Sequence, residues 1–324
     1  MVYFLLLAVV KKNIMNKFLL VIALSFFTMS GLKAQYLWDF GGGIGSSNYL
    51  GDIGGQGAAK PFVSDIQLEM SRPSFNLFAR YKINNLFGAS AGFAYGWIQG
   101  ADNLSNDPSR FSRNLSFRNH LFEISGRGEV YLLRLNDVGR SGRYRLDFST
   151  YLFAGAAGLY HNPKTEYEDE WIALQPLQTE GVQYSKIQLA IPAGLGVYFT
   201  LFRHHRFGFE IGTRFTTTDY LDDVSTFYKQ PSLFENPLAA ILADRSNEVD
   251  PNDPKFVGSQ YFSEGTEMNP ELPSIRGGAA NPDYYLMAFA TYSYVLRGKK
   301  SNFIKPRYNW ITGHVKKRKS KAKF

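Results

Sequence analysis

The stretch FGFEIGTRFTT, which runs from Phe207 to Thr217, alternates apolar side chains with small, polar or charged ones. Its apolar positions are Phe207, Phe209, Ile211 and Phe215, and the positions between them include Gly208, Glu210, Gly212 and Arg214. Successive side chains of a β-strand point to opposite faces, so this pattern predicts a strand with one apolar face. A soluble β-sandwich alternates too, but strands of about ten residues or more with Phe and Tyr at both ends favour a transmembrane barrel.

The alternating pattern recurs along the chain and predicts further strands. The connections between these strands alternate between short and long. The predicted strands are Gln35 to Ile44, Arg72 to Ile83, Leu86 to Gln99, Phe117 to Leu133, Tyr144 to Tyr160, Val182 to Phe199, Phe207 to Thr218 and Asp283 to Leu296. The connections after the second, fourth and sixth strands are short and the others are long, which is typical of the two sides of outer-membrane barrels. The predicted fold class is all-β: an eight-stranded antiparallel transmembrane β-barrel over residues 35–296, with long extracellular loops and both termini in the periplasm. Pro192 lies inside the sixth strand and lacks an N–H, so a β-bulge is expected there.

Residues 1–34 have the pattern of an export signal. Lys17 supplies a basic start, Phe18 to Phe27 an apolar run, and Gly31 to Ala34 a cleavage region of mostly small residues. A membrane anchor is the alternative, but this apolar run is shorter than the ~20 residues that a spanning helix needs. Residues 1–14 either extend the signal or precede the true initiator, Met15.

The composition agrees with a barrel and excludes several other classes. Aromatic residues make up 16% of the chain, which suits aromatic girdles at two membrane interfaces. The mean hydropathy of -0.23 is too low for a helical membrane protein. With Cys 0, disulfides, thiolate catalysis, cysteine-ligated zinc and an N-terminal lipid on cysteine are excluded.

The net charge of +8 comes from the C-terminal tail, residues 297–324. Asp283 is the last acidic residue, and the cluster Lys316, Lys317, Arg318 and Lys319 lies well beyond it. Apart from the tail and the signal, acidic residues outnumber basic ones, so nucleic acid is not an expected partner. A basic run is usually solvated. Because Phe303, Ile304 and Trp310 are interleaved with the cations, a periplasmic segment that folds on an acidic partner, or lies on the inner lipid headgroups, is predicted instead.

Charged residues of both signs are predicted to face the interior of the barrel. They are Arg80, Glu123, Arg127, Glu129, Arg145, Asp147, Glu210 and Arg214. The lumen of an eight-stranded barrel is just wide enough for side chains to fill it. Buried charges persist when they are paired, so an ion-pair core is predicted. A proton or ion path is the alternative.

The histidines give little support for catalysis or for a zinc site. They are His120, His161, His204, His205 and His314, and none has the i, i+4 helical spacing of a zinc site. His161 lies near the outer rim, where some outer-membrane enzymes have a catalytic histidine, but a lone rim histidine is expected to be solvated. The prediction is therefore no enzyme and no cofactor.

Carboxylates follow two strand ends on the outer side. Asp219, Asp222 and Asp223 lie in one segment, and Asp52 follows Gly51 in another. Carboxylate oxygens suit Ca²⁺, so the first three are weak calcium candidates. Their spacing matches no calcium loop, and turn formation explains Asp at such positions equally well.

The predicted loop from Asp219 to Pro282 is too long to be only a connector. Within it, Leu238 to Ala243 is a short amphipathic run that predicts a helix. A plug or lid across the outer mouth of the barrel is the preferred interpretation, and partner binding is the alternative.

Two segments resemble a known family. WDFGGGIGSSNYLGDIGG, from Trp38 to Gly55, and TTTDYLDDVS, from Thr216 to Ser225, with a mature chain beginning at Gln35, are similar to the PorG-like outer-membrane proteins of Bacteroidetes. This resemblance implies a small barrel associated with the type IX secretion and gliding machinery. It also implies contact with a periplasmic ring built from a lipoprotein and its soluble partner, and it transfers no catalytic residues.

The leading hypothesis is a non-enzymatic barrel of the outer membrane, in contact with its lipids, that serves as an accessory component of that secretion machinery. The first alternative is a free-standing small barrel that binds or passes a small ligand. The second alternative is an outer-membrane enzyme that depends on His161.

Overall fold

A computed structural model gives the fold and describes residues 36–54, 68–136, 138, 146–258, 275–278 and 282–297. In these ranges the long strands are β1 (Tyr36–Leu50), β2 (Arg72–Lys82), β3 (Phe87–Ala101), β4 (Ser116–Leu135), β5 (Leu146–Tyr160), β8 (Ile187–Leu201), β9 (His205–Thr216) and β10 (Tyr284–Arg297). Two short strands, β6 (Pro163–Tyr167) and β7 (Glu170–Ala173), and two short helices, α1 (Pro108–Arg113) and α2 (Pro237–Ala243), lie between them. None of the helices in these ranges is long and apolar enough to cross a membrane.

The eight long strands form a closed antiparallel barrel. Going around it, the order is β3, β2, β1, β10, β9, β8, β5 and β4, and β4 pairs again with β3. The first and last strands of the chain join side by side, with Leu50 opposite Tyr284 and Phe40 opposite Tyr294. Closure pairs both edges of every long strand, so the predicted eight-stranded fold class is confirmed.

The barrel has a turn end and a loop end. At the turn end, β2 joins β3, β4 joins β5 and β8 joins β9; at the loop end the longer connections are found. The predicted strands match these elements except in three places. The sixth strand begins at Ile187 and not at Val182. β1 continues to Leu50 and not to Ile44, because Gly45 to Asn48 keep pairing with β10 although they lack apolar alternation. The hairpin β6–β7, inside the segment from His161 to Gly181, was not predicted.

The β-bulge predicted at Pro192 is wrong. On one side Pro192 stays in register opposite Arg214, without a shift. On the other side the pairing of β8 with β5 is interrupted between Ala193 and Ala190, and it resumes in the same register. The missing N–H is therefore accommodated by a gap in one ladder and not by an extra residue.

β6 continues the line of β5 beyond the barrel. Arg118 pairs with Lys164 in the register in which Phe122 pairs with Tyr160, so only His161 and Asn162 interrupt one long strand. β7 then returns beside β6 and adds a short extension to the wall at the loop end.

The two faces of the wall differ as the sequence predicts. Phe207 and Phe209 are 49% and 46% exposed, whereas Glu210 between Phe209 and Ile211 is 2% exposed. On β4, Ile124 is 71% exposed beside the buried Glu123. The outside of the barrel is therefore apolar and the inside carries the charges.

Candidate functional site: the filled interior and its cap

Arg80, on β2, is the centre of a buried charge network near the turn end. Its Nε lies 2.8 Å from Oε1 of Glu129, and its Nη2 donates to the Tyr151 hydroxyl at 2.8 Å. Carboxylate oxygens of Asp39 and Glu210 lie 3.5 Å and 3.6 Å from the same guanidinium. One cation thus faces carboxylates from three other strands, which offsets the large cost of burying charge.

Two further ion pairs extend this network along the lumen. Arg127 Nη1 lies 2.8 Å from Oε1 of Glu210, so Glu210 joins Arg127 to Arg80. Nearer the loop end, Arg214 Nε lies 3.2 Å from Oε2 of Glu123, which also accepts a hydrogen bond from the Tyr285 hydroxyl at 2.8 Å. The interior therefore contains paired charges over much of its length.

Aromatic rings fill the space around these charges. Tyr131, Tyr151, Phe153 and Tyr198 form one buried cluster, and the Arg127 guanidinium lies 4.6 Å from the centre of the Phe153 ring. A Cβ added at Gly196 would collide with the Tyr151 ring, and one at Gly212 would lie 2.7 Å from Phe153 Cζ. Glycine on the facing strands thus leaves room for the rings, and side chains occupy the lumen here.

Among the described residues, six of the predicted interior charges are brought together in these pairs. They are Arg80, Glu123, Arg127, Glu129, Glu210 and Arg214. Asp147 lies near the turn end and is only half-buried. Arg145 lies outside the described residues. Arg206 and Asp39 were not predicted but also contribute. They form an ion pair with each other, and Asp39 also lies close to Arg80.

Loop segments form a cap over the loop end, which we define as residues 51–54, 102–115, 161–186, 219–258 and 275–278. Leu221, Val224 and Leu242 of the cap belong to the same hydrophobic cluster as Ile98 and Phe289 of the barrel wall. The predicted helix in this region is confirmed as α2. The described part of the segment from Asp219 onward is therefore packed on the barrel, as expected for a lid.

Arg276 joins three parts of the cap. Its Nη1 lies 3.1 Å from Oε1 of Glu180 and donates to the Asp223 carbonyl at 2.7 Å, while its Nε donates to the Ala243 carbonyl at 3.2 Å. Burial alone would lower the pKa of Arg276, but Glu180 and Asp223 more than offset this and raise it. The guanidinium therefore remains charged although it is buried.

Arg113, the last residue of α1, has a parallel role. Its Nε lies 2.7 Å from Oδ2 of Asp102, and its Nη2 donates to the Asp52 carbonyl at 2.9 Å. Its Nη1 donates to the carbonyl of Arg276, which connects the two arginine centres. Burial lowers the pKa of Arg113, but the Asp102 carboxylate outweighs that effect and raises it.

A tyrosine hydroxyl lies between two buried carboxyl groups beneath the cap. Tyr49 Oη is 2.6 Å from Oδ2 of Asp222 and 2.6 Å from Oδ1 of Asp283. A hydroxyl has one hydrogen to donate, so one of the two carboxyl groups must itself carry a proton to complete both bonds. Burial, followed by the charges of neighbouring aspartates, raises the pKa of both Asp222 and Asp283, in agreement with a shared proton.

The three calcium candidates are not brought together on one ion. Asp223 accepts hydrogen bonds from the Thr179 and Tyr184 hydroxyls, both at 2.5 Å, whereas Asp222 faces Tyr49. Burial raises the pKa of Asp223 to about 6 and that of Asp219 to about 7. In the described part of the chain no group of three or more His, Asp or Glu side chains is arranged to hold a metal.

The expectation that His161 is solvated is wrong. This residue is 0% exposed, because it lies where the wall passes from β5 to β6 under the cap. Its Nε2 is 3.2 Å from the Ser185 carbonyl, its Nδ1 is 3.5 Å from Asn119 Nδ2, and its ring stacks on Tyr184. Burial lowers the pKa of His161 to about 4, so the imidazole is neutral near pH 7.

The cap arginines were missed from sequence because the carbonyls to which they donate are distant along the chain. Arg113 bonds to a carbonyl 163 residues away. Neither residue lies in an alternating segment, so no local pattern indicates its burial. The export signal and the tail residues Lys316, Lys317, Arg318 and Lys319 lie outside the described residues.

These features define a class: a closed eight-stranded antiparallel barrel with a charge-paired, side-chain-filled interior and a packed cap. The family model described as Domain of unknown function (DUF6089) matches residues 16–232, and the chain belongs to this family. No curated protein matches the sequence.

Two solved barrels are similar over most of this chain. The attachment invasion locus protein Ail of Yersinia pestis is 9% identical, with a TM-score of 0.32, and the match covers 81% of this chain and 100% of Ail. The outer membrane protein OprG of Pseudomonas aeruginosa is 10% identical, with a TM-score of 0.35, and the match covers 82% of this chain and 97% of OprG. The barrel fold itself follows from the strand register of this chain.

Proposed function

We propose that this protein is a non-enzymatic integral barrel of the outer membrane that serves as an accessory structural component of the type IX secretion and gliding machinery. The observation that carries the membrane assignment is the exposed apolar band around the outside of the barrel. Its exposed members on β4 and β8 include Phe122, Ile124, Val130, Leu132, Ile187, Leu189, Ile191, Leu195 and Phe199.

The height of this band matches a bilayer. On β4 it runs from Phe122 to Leu132, ten residue steps along the strand. At ~3.4 Å per residue this is roughly 34 Å of strand, and a tilt of about 45° reduces it to roughly 24 Å along the barrel axis. The apolar band of outer-membrane barrels is about 25 Å tall, so this surface suits lipid and not water.

Aromatic contacts border the band at both ends. Trp38 and Tyr81 lie with ring centres 4.9 Å apart at the turn end. Tyr95 contacts both Phe75 and Phe122 at 4.9 Å on the loop-end side. Amphipathic rings favour the two membrane interfaces, which supports the same placement.

The filled interior supports a structural role over transport. Arg80 and Arg127 cross the lumen to their carboxylate partners, and the rings of Tyr151 and Phe153 pack beside them. A free-standing barrel that passes a small ligand needs an open path, and these side chains lie in that path. We therefore expect almost no single-channel conductance.

The assignment to secretion is supported by the two segments that resemble the PorG-like proteins. In the fold these segments meet, because the Tyr49 hydroxyl of the first lies 2.6 Å from Asp222 of the second. The two segments thus help to hold the cap on the barrel. Contact with the ring lipoprotein and its soluble partner is assigned to the basic tail on the periplasmic side.

Two experiments test the proposal in turn. The full chain is reconstituted into lipid vesicles, where we expect stable insertion, heat-modifiable migration on gels and negligible conductance in planar bilayers. A protein that stays monodisperse in detergent-free buffer would contradict the membrane assignment. A wild-type conductance comparable to that of a porin would contradict the structural role.

The contact with the ring is tested by deleting residues 298–324. We expect the truncated barrel to insert normally while it no longer co-purifies with the ring and secretion falls. A matched variant changes Lys316, Lys317, Arg318 and Lys319 to Gln and keeps the tail length. Unchanged co-purification of the deletion variant would end the docking hypothesis and leave the membrane assignment intact.

A further inference from the structure

Basic and aromatic side chains gather on one side of the outer surface, just above the apolar band at the loop end. We call this group the rim patch; its members are Trp97, Arg118, His120, Lys164 and Trp171. Trp97 pairs in register with His120 on the neighbouring strand, and Arg118 pairs with Lys164. Paired residues of adjacent strands share a face, so these side chains lie on the outer face that also carries Phe122 and Tyr160.

Contacts within the rim patch hold the rings and cations together. The Arg118 guanidinium lies 4.4 Å from the centre of the Trp171 ring on β7. The His120 ring lies 5.9 Å from that of Trp97 and accepts or donates a hydrogen bond with the Tyr95 hydroxyl at 2.9 Å. The short extension β6–β7 thus places a cation and a tryptophan beside the end of β4.

Two donors in the rim patch have no partner in the protein. Neither Nε of Arg118 nor Nε1 of Trp97 makes a hydrogen bond, although both atoms are shielded from water. Unsatisfied donors of this kind are costly, and since both atoms are covered by the protein, an external acceptor completes them only if the Arg118 and Trp97 side chains turn outward on binding. An oxyanion is the acceptor that best matches a guanidinium and a neighbouring ammonium group.

The distance of the rim patch from the hydrocarbon layer indicates which molecule supplies that oxyanion. Arg118 is four residues beyond Phe122, which is about 13 Å along the strand and about 9 Å along the axis at a tilt near 45°. The polar headgroup layer extends roughly 5–8 Å beyond the hydrocarbon on each side. The side chains of Arg118 and Lys164 are long enough to reach that layer, while Glu166 lies one pleat further out.

We propose that the rim patch binds the anionic phosphate headgroup of a membrane lipid in the leaflet at the loop end. Arg118 and Lys164 supply the charge, Trp97 Nε1 supplies a donor once its ring turns outward, and the Trp97 ring lies nearest the acyl chains. On the far side of the same rim, β9 and β10 carry the uncharged pair Phe215 and Tyr284. This inference rests on the proposed membrane location.

The probe is dodecyl phosphate, whose binding to the full chain in neutral detergent is measured by native mass spectrometry. The double variant Arg118→Gln/Lys164→Gln is expected to bind it roughly tenfold or more weakly, since each surface cation contributes about a factor of five to anionic lipid binding. Trp97→Phe keeps the ring and removes the donor, so a loss of several-fold is expected. Inorganic phosphate is expected to bind far more weakly than dodecyl phosphate.

A matched control removes two other cations that also lie on aromatic rings, the partly buried Lys229 and the exposed Lys255, in the variant Lys229→Gln/Lys255→Gln. It is expected to bind dodecyl phosphate as the wild type does. Equal binding by the Arg118/Lys164 variant, equal loss in the control, or inorganic phosphate binding as tightly as the alkyl phosphate would each overturn the inference. Failure of the wild type to insert into vesicles would instead overturn the proposed function, so the two failures are distinguishable.

Discussion

The barrel interior and the cap both bury arginines, but they use them differently. Arg80 and Arg127 lie on strands and meet carboxylates on other strands. Arg113 and Arg276 each have one carboxylate partner and otherwise donate to backbone carbonyls of separate loop segments. Arg80 and Arg127 thus neutralise charge, whereas the two cap arginines also satisfy backbone carbonyls.

The difference follows from how each region pairs its main chain. In the barrel the ladders already satisfy the N–H and C=O groups of the strands, so a buried side chain is left to meet other side chains. Loop segments have no ladder, and their buried carbonyls need donors from elsewhere. A guanidinium has five N–H donors in one plane and can join several such carbonyls at once.

The largest effect is expected from removing the central interior cation. Arg80→Met leaves Glu129, Glu210 and Asp39 buried without their common partner, and breaking a buried pair in this way costs about 3–5 kcal/mol. The free energy of unfolding is measured by urea titration in detergent, with heat-modifiable migration as the readout of folded barrel.

A second variant separates charge from volume at this position. If Arg80 acts mainly by neutralising carboxylates, adding Glu129→Gln to Arg80→Met should recover part of the lost stability. If the loss in free energy of unfolding of the double variant equals the sum of the losses of the two single variants, Arg80 contributes through packing on Tyr151 and Phe78 instead.

The cap arginine Arg276 is expected to give a local effect. Arg276→Met leaves Glu180 without its ion-pair partner and the carbonyls of Asp223 and Ala243 without their donor, at a cost of about 3 kcal/mol. Hydrogen exchange should therefore accelerate roughly a hundredfold in the segment 219–243 while the strand amides stay protected. Lys255→Met, which removes an exposed cation of the cap, serves as the control. Loss of protection throughout the barrel would show that the two regions unfold as one unit.

The interior could be predicted from sequence because strands repeat with a period of two residues. Glu123 and Ile124 are assigned to opposite faces by position alone, and the rest of β4 follows. The mispredicted extent of β1 has a physical reason as well. Beyond Ile44 the outward positions are the polar residues Ser46 and Asn48, so the apolar alternation ends before the strand does.

The cap could not be predicted in the same way. The hairpin β6–β7 turns at Glu168 and Asp169, whose φ angles of 51° and 64° are left-handed. Asn and Gly are the usual signals of such a turn, and neither is present. Arg276 is joined to Glu180 and Asp223 only through tertiary packing, so its role is invisible until distant loops are placed side by side.

A smaller effect is expected where glycine makes room for the interior rings. Gly196→Ala places a methyl group against the Tyr151 ring, and overpacking of this kind costs about 1–3 kcal/mol. Gly158→Ala is the matched control, because a Cβ at Gly158 has no atom within 4 Å and points outward. Urea titration should separate the two variants, and equal stability would contradict a filled lumen.

The smallest effect is a dependence of cap stability on pH. Burial raises the pKa of Asp219 to about 7 and that of Asp223 to about 6. A carboxyl group with a raised pKa in the folded state binds more protons there than when unfolded, so its contribution to stability falls as pH rises from about 4 to about 7. His161 acts in the opposite direction, since its pKa is lowered to about 4 and stability is lost as pH falls from about 6.5 to about 4.

His161 still titrates in the unfolded state near pH 6.5, but its contribution is the same in the wild type and in Asp219→Asn, so it cancels when the two proteins are compared. Hydrogen exchange of the cap is therefore compared between pH 6.5 and pH 8, after correction for the intrinsic rate. Protection of residues 219–225 should decline over this interval in the wild type and decline less in Asp219→Asn, which has one titrating group fewer. Strand amides of β9 should not change. If the variant and the wild type decline equally, Asp219 is ionised in the folded cap at neutral pH, and the remaining decline belongs to the carboxyl pair that shares the Tyr49 hydroxyl.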